Sequence, residues 1–164
     1  MQPPSPRTRA LRWLAQREHT RAELEHKLRR YAARESAGKA GEADGAGDPV
    51  AVDFSPLLDE LETKGFLSDA RAAESMLGGR GQRYGSRRLK QDLQRKGVDP
   101  GLVAQTVERA RQTEWERAFQ LWQRKFGAPV ADAAGRARQA RFLAARGFPA
   151  EIILRIVRGL EPDA

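Results

Sequence analysis

The chain contains no cysteine. That removes disulfide staples, thiolate nucleophiles and every Cys-based metal site, and it fits a reducing compartment. Histidine is scarce as well: His19 and His26 stand seven positions apart, in no spacing with carboxylates that resembles a metal pattern, and read as surface or capping residues. No serine has a nucleophile-elbow context, and Gly78-Gly79-Arg80-Gly81 lacks the Lys-Ser/Thr that completes a phosphate loop, so it reads as a flexible joint. Acid pairs such as Asp59-Glu60 read as a solvated helix face. No apolar run approaches the roughly 18 to 20 residues that span a bilayer, and Met1 to Pro6 carries no apolar stretch of signal-peptide length. Nor does any segment alternate apolar and polar residues long enough to make a strand. The expectation is an all-α, soluble, cytoplasmic protein with no catalytic residues, no metal and no cofactor.

What the sequence has in excess is positive charge. Thirty Lys and Arg against 22 Asp and Glu leave a formal charge of +8, most of the cations being arginine. The excess is clustered: Arg80, Arg83, Arg87, Arg88, Lys90, Arg95 and Lys96 share their stretch with Asp92 as the only acid. Arginine forks match phosphate and carboxylate geometry, so the balance favours polyanions or acidic protein surfaces as partners.

The chain also repeats itself. Leu93-Gln94-Arg95-Lys96-Gly97-Val98, then Leu102-Val103 and Val107, returns fifty positions later as Leu143-Ala144-Ala145-Arg146-Gly147-Phe148, then Ile152-Ile153 and Val157. Nine helical segments are marked by periodicity, caps and stops. They begin near Thr8, at Thr20 (paired with Glu23 as a capping box), at Ser55-Pro56, near Asp69, at Ser86, at Asp99-Pro100, at Thr113 (a second capping box, with Glu116), near Asp132 and after Phe148. Their apolar stripes include Leu24, Leu28 and Tyr31; Phe54, Leu57, Leu58 and Leu61; Leu89 and Leu93; Ala137, Ala140 and Leu143; and Ile152, Ile153, Ile156, Val157 and Leu160. Trp115, Phe119, Trp122 and Phe126 form an aromatic stripe whose helical spacing assigns it to a core rather than to base stacking, while Trp13 flanks its stripe as a candidate exposed anchor. Ser36 to Pro49, with four glycines, reads as a flexible loop. Glycine stops at Gly65, Gly97 and Gly147 pair Phe66 with Leu61, Val98 with Leu93 and Phe148 with Leu143 across the helix end. Lys64, Lys96 and Arg146 sit at helix C-termini, opposing the macrodipole.

Grouped in threes, the helices give three tandem three-helix repeats: residues 7–66 with the loop at about 36–49, a basic repeat at 68–112, and a third at 113–161. Units that contact only their neighbours would make an elongated, curved array. With Leu89 and Leu93 inward, Arg87, Gln91, Arg95 and, obliquely, Arg88 face solvent. Arg80, Arg83 and Tyr84 precede that helix, and Arg138 and Arg141 hold a similar place relative to Leu143, extending a basic ridge. The candidate binding residues are therefore Arg80, Arg83, Arg87, Arg88, Arg95, Arg138 and Arg141.

The order and spacing of these motifs resemble the RecX family, regulators of the RecA recombinase. The carrying residues are Ala10-Leu11-Arg12-Trp13-Leu14 with Glu18-His19-Thr20-Arg21-Ala22-Glu23-Leu24, then Leu61 to Ala73, then Tyr84-Gly85-Ser86-Arg87-Arg88-Leu89 with Leu93 to Val98, and Phe142 to Phe148. The long glycine-rich loop and Ala72, at a place where the family favours an aromatic, depart from the pattern. The resemblance implies a non-enzymatic monomer that binds the RecA nucleoprotein filament along its groove, reaches single-stranded or duplex DNA through it, avoids membranes, and inhibits ATPase, strand-exchange and coprotease activities. Two other readings remain: a direct DNA-binding protein of helix-turn-helix type, which specific operator selection would favour, and a helical scaffold, which would tolerate charge reversal at Arg87, Arg88 and Arg95.

Overall fold

Small polar caps set several of the helix starts. The Ser5 hydroxyl accepts from the Thr8 amide, Asp99 accepts from Gly101 and Leu102, and Asp132 accepts from Gly135, each satisfying amides that a helix leaves without an internal partner. The computed structural model describes residues 3–40 and 52–160. Among them are nine α-helices and no strand: α1 (Pro6–Leu14), α2 (Arg21–Ala40), α3 (Ser55–Thr63), α4 (Asp69–Gly78), α5 (Ser86–Arg95), α6 (Pro100–Arg111), α7 (Glu114–Phe126), α8 (Ala133–Ala144) and α9 (Ala150–Val157). A 3-10 turn over Arg80–Arg83 separates α4 from α5. None of the described helices is long and apolar enough to cross a membrane.

Four local expectations change. Helix α2 runs on through Ala40, so residues 36–40 are helical where a loop is expected, and the rest of that expected loop, 41–49, lies outside the described residues. Alanine, arginine and glutamate sustain the helix past its last apolar residue, and a single Gly38 costs only about 1 kcal/mol. Thr113 makes no capping bond; its hydroxyl accepts from Arg117 Nε instead. The cap bond before α3 comes from Asp53, which accepts from the Ser55 amide. Gly65 and Gly147 do take the left-handed conformation, at φ 72° and 81°, with Phe66 and Phe148 amides donating back to Leu61 and Leu143. Phe66, however, is half exposed, and the next residue, Leu67, fills the core.

Contacts gather the described residues into two units, one reaching Ala72 together with Lys96–Val98, the other comprising Ala73–Arg95 and the residues from Asp99 onward. In the first unit Ala10, Leu24, Leu28, Phe54, Leu58, Leu61 and Leu67 are buried together. Trp13 is no free anchor: it packs on this core, edge-on to Tyr31 with centroids 6.4 Å apart, under the Lys27 ammonium at 4.5 Å. The Thr20 hydroxyl accepts from the Glu23 amide and donates to the Lys96 carbonyl at 2.7 Å, while Lys96 Nζ lies 2.8 Å from the Glu23 carboxylate. Lys96 thus adds an ion pair to its place at a helix end, and Glu23 is spent on Arg17 and Lys96 rather than on closing a capping box.

His19, expected at the surface, is buried at the start of this cluster. Burial, with Arg17, Lys27 and Lys96 nearby, pushes its pKa down to about 4, the Glu23 carboxylate pulling the other way. Burial opposes ionisation of Glu23 too, but hydrogen bonds from Arg17 and Lys96 win and lower it to about 2. The unfolded chain protonates His19 near 6.5 and the folded chain only near 4, so its contribution is complete above pH 6.5 and is lost as pH falls towards 4. That of Glu23 is complete above 4.5 and disappears towards pH 2. The melting temperature is expected to drop between pH 7 and pH 4.5, and His19→Gln to flatten that drop. Parallel pH curves for the two proteins would contradict this account.

In the second unit Leu89, Leu93, Val103, Val107 and Ala110 are buried along α5 and α6, and Ala118, Trp122, Leu143, Phe148, Ile153, Ile156 and Val157 form the core of α7 to α9. Trp115, Phe119 and Phe126 pack around that core, so the aromatic stripe is structural. Ala137 turns outward, and its expected place is held by Gln139, which accepts from Trp122 Nε1 and donates to the Ala128 carbonyl, both at 3.0 Å. A polar side chain with both ends satisfied is as acceptable inside as a methyl group, which apolar periodicity alone does not register. Leu160 remains half exposed.

Candidate functional site

The expected joint between α4 and α5 is built around a buried guanidinium. Arg117 donates to the carbonyls of Gly81, Tyr84 and Ala110, fixing the 3-10 turn to the end of α6. Burial lowers its pKa from the ordinary arginine value, with Glu114 and Glu116 opposing. Glu114, also buried, accepts from the Ser86 amide at 2.5 Å and so places a carboxylate at the N-terminus of α5, where the macrodipole favours it. The glycines before α5 are therefore held by a charged residue that needs acceptors.

From that start, Leu89 and Leu93 point inward and Arg87, Arg88, Gln91 and Arg95 are exposed. The Gly85 amide donates to the Arg146 carbonyl at 2.9 Å and the Arg87 amide to the Gly147 carbonyl at 3.2 Å, so the beginning of α5 meets the α8–α9 turn backbone to backbone. Arg88 stacks over the Tyr84 ring at 5.0 Å and lies 3.8 Å from Asp92, whose other oxygen pairs with Arg95 at 2.5 Å. Asp92 therefore offsets part of the charge of two candidates. Arg83 and Arg87 have no acidic partner among the described residues. The side chain of Arg80 lies outside the described residues.

Arg138 and Arg141 form a separate group. One turn apart on α8, they line a cavity of about 600 Å³ with Lys125, Phe126 and Phe142, and no arginine of α5 takes part. Phe126 and Phe142 meet edge to face with centroids 5.3 Å apart. The Arg146 guanidinium lies 3.7 Å from the Phe142 ring centroid and donates to the Phe142 carbonyl, consistent with its place at a helix end. Sequence reasoning missed Lys125 and the exposure of the two rings. The available signal was Lys125-Phe126 closing α7 and Phe142 one turn beyond Arg138 on a helix that also carries Arg141.

A second, apolar cavity of about 720 Å³ is lined by Trp115, Phe119, Trp122, Pro129, Ile156 and Leu160 among others. The Trp115 indole N–H is buried without a hydrogen-bond partner among the described residues. Among the described residues no group of three or more His, Cys, Asp or Glu is placed to hold a metal ion.

Comparison with known proteins places this geometry. The description "RecX, second three-helix domain" matches residues 68–107 and "RecX, third three-helix domain" matches residues 112–157. The chain is 41% identical to the Regulatory protein RecX of Leptothrix cholodnii over 150 residues, 92% of this chain and 85% of that protein. The chain belongs to the RecX family. It is 40% identical to the Regulatory protein RecX of Herminiimonas arsenicoxydans over 157 residues, 96% of this chain and 93% of that one. The crystal structure of RecX from Lactobacillus salivarius shares the fold, with a TM-score of 0.64 at 20% identity over 94% of both chains.

Proposed function

We propose that this chain regulates the RecA recombinase by binding its nucleoprotein filament in the cytoplasm as a monomer, restraining ATP hydrolysis, strand exchange and coprotease action, and thereby influencing recombinational repair and the SOS response. Similarity to regulatory proteins of the RecX family across nearly the whole chain carries this reading. The exposed arginines that have no acidic partner among the described residues support it, because a filament built on DNA presents phosphates. The mechanism is steric and electrostatic: a basic body seated in the filament groove resists the subunit rearrangements that accompany ATP turnover and blocks entry of a second duplex.

Arg83 and Arg87 are the informative pair, since neither has an acidic partner among the described residues. Substoichiometric wild-type protein is expected to lower the ATP turnover of RecA on single-stranded DNA. Arg83→Glu/Arg87→Glu should require at least tenfold more protein for the same effect while melting at the same temperature. Unchanged turnover across a wide range of wild-type concentrations would remove the reading. Full inhibition by the double variant would remove these two residues from it.

A further inference from the structure

Three cations facing one cavity with no carboxylate among its walls is an unbalanced arrangement, and here the cavity also presents two aromatic rings. Lys125, Arg138 and Arg141 are all exposed and none has an acidic partner among the described residues. Their positions are fixed: Lys125 and Phe126 end α7, while Arg138, Arg141 and Phe142 share one face of α8, which α7 packs against. Phe126 and Phe142 are half-buried at the cavity wall, braced by each other and by Arg146. The volume of about 600 Å³ lies within the range that takes a small organic group.

Charge alone would suit any anion. Rings beside the charge narrow the choice, because a nucleotide of a single strand presents a flat base and a phosphate a few ångströms apart, whereas a duplex keeps its bases stacked inside. We infer that the cavity between α7 and α8 is a single-nucleotide subsite for single-stranded nucleic acid, with the base against Phe126 and Phe142 and the flanking phosphates on Lys125, Arg138 and Arg141. The inference goes beyond filament regulation, since the subsite needs no recombinase to act. It leaves the α5 arginines free for another surface.

The test uses the intact protein and fluorescent oligonucleotides alone, read by anisotropy. Oligo(dT) should bind at least fivefold more tightly than an abasic strand of equal length, and more tightly than a duplex of equal charge. Arg138→Ala/Arg141→Ala should weaken oligo(dT) at least tenfold and make the log–log salt slope shallower by about 1.4, two phosphates at about 0.7 each. Phe126→Leu should shrink the difference between oligo(dT) and the abasic strand while leaving the salt slope unchanged. Each variant's melting temperature is measured first, and Lys125→Ala serves in place of any that fails to fold. Equal binding of abasic and base-bearing strands, an unaffected double arginine variant, or equal competition by a polyglutamate peptide would overturn the proposal. Inhibition of RecA turnover is measured separately, so that loss of one property is distinguishable from loss of the other.

Discussion

Gly85→Ala is expected to destabilise the second unit by about 3–4 kcal/mol and to lower its melting temperature by roughly 15–20 °C. A Cβ on Gly85 would stand 2.3 Å from the Gly147 carbonyl oxygen and 2.5 Å from both the Gly147 carbonyl carbon and the Phe148 Cα. All three are backbone atoms, so no side-chain rotation relieves the clash. The start of α5 must withdraw from the α8–α9 turn, taking with it the Gly85–Arg146 and Arg87–Gly147 hydrogen bonds. Gly65→Ala is the matched control, because its φ of 72° strains an L residue but its added methyl meets nothing within 4 Å. That change should cost only about 1–2 kcal/mol. Trp13 belongs to the first unit with Gly65, and Trp115 and Trp122 to the second with Gly85, so tryptophan fluorescence during heating reports on both variants. Equal shifts for the two alanine variants would show that the close approach at Gly85 is not what holds the turn.

The contrast between these glycines shows what a sequence discloses. Gly65 and Gly147 announce themselves as helix stops because each follows a helical apolar stripe ending in leucine and precedes an aromatic, and both adopt the positive φ that position requires. Gly85 looks like an ordinary residue before a helix. Its need to be glycine comes from a partner sixty-two positions away, and no local pattern encodes that distance. The same division runs through the helices. Capping by Asp99 and burial of Leu89, Leu93 and Ile153 followed from spacing, since both are properties of one turn. His19, Glu114, Arg117 and Gln139 were read as surface or passed over, because polarity predicts exposure unless the partners are known. All four are buried.

The candidate site divides likewise. An excess of arginine around α5 was plain from composition, yet Asp92 pairs with both Arg88 and Arg95, and only the fold shows that Arg83 and Arg87 have no such offset among the described residues. Arg138 and Arg141 were legible as exposed cations on α8. Their grouping with Lys125 and two phenylalanines depends on how α7 lies along α8, a tertiary fact. Charge is written in the sequence; the company that a charge keeps is written in the packing.

Arg117 should produce the largest loss of any single substitution on α7. Arg117→Met keeps much of the stem but leaves the carbonyls of Gly81, Tyr84 and Ala110 without their donor, and leaves the Glu114 carboxylate buried without the opposing charge. Removing one member of a buried charged network typically costs about 3–5 kcal/mol, whereas an exposed ion pair such as Arg111–Glu108 contributes at most about 1 kcal/mol. Arg117→Lys restores charge but offers one ammonium where a planar fork reached three carbonyls and the Thr113 hydroxyl, so it should recover less than half of the loss. Glu114→Gln retains an oxygen for the Ser86 amide and should be milder than Arg117→Met. If charge and geometry act together, Arg117→Met/Glu114→Gln will be less destabilised than the two single losses added, by about 1 kcal/mol or more in a double-mutant cycle. Strict additivity would mean that Glu114 and Arg117 hold α5 and the 3-10 turn independently. Because that clamp sets the direction in which α5 leaves the turn, the proposed function predicts that Arg117→Met will also weaken RecA inhibition at temperatures where the protein is still folded, through misplacement of Arg83 and Arg87.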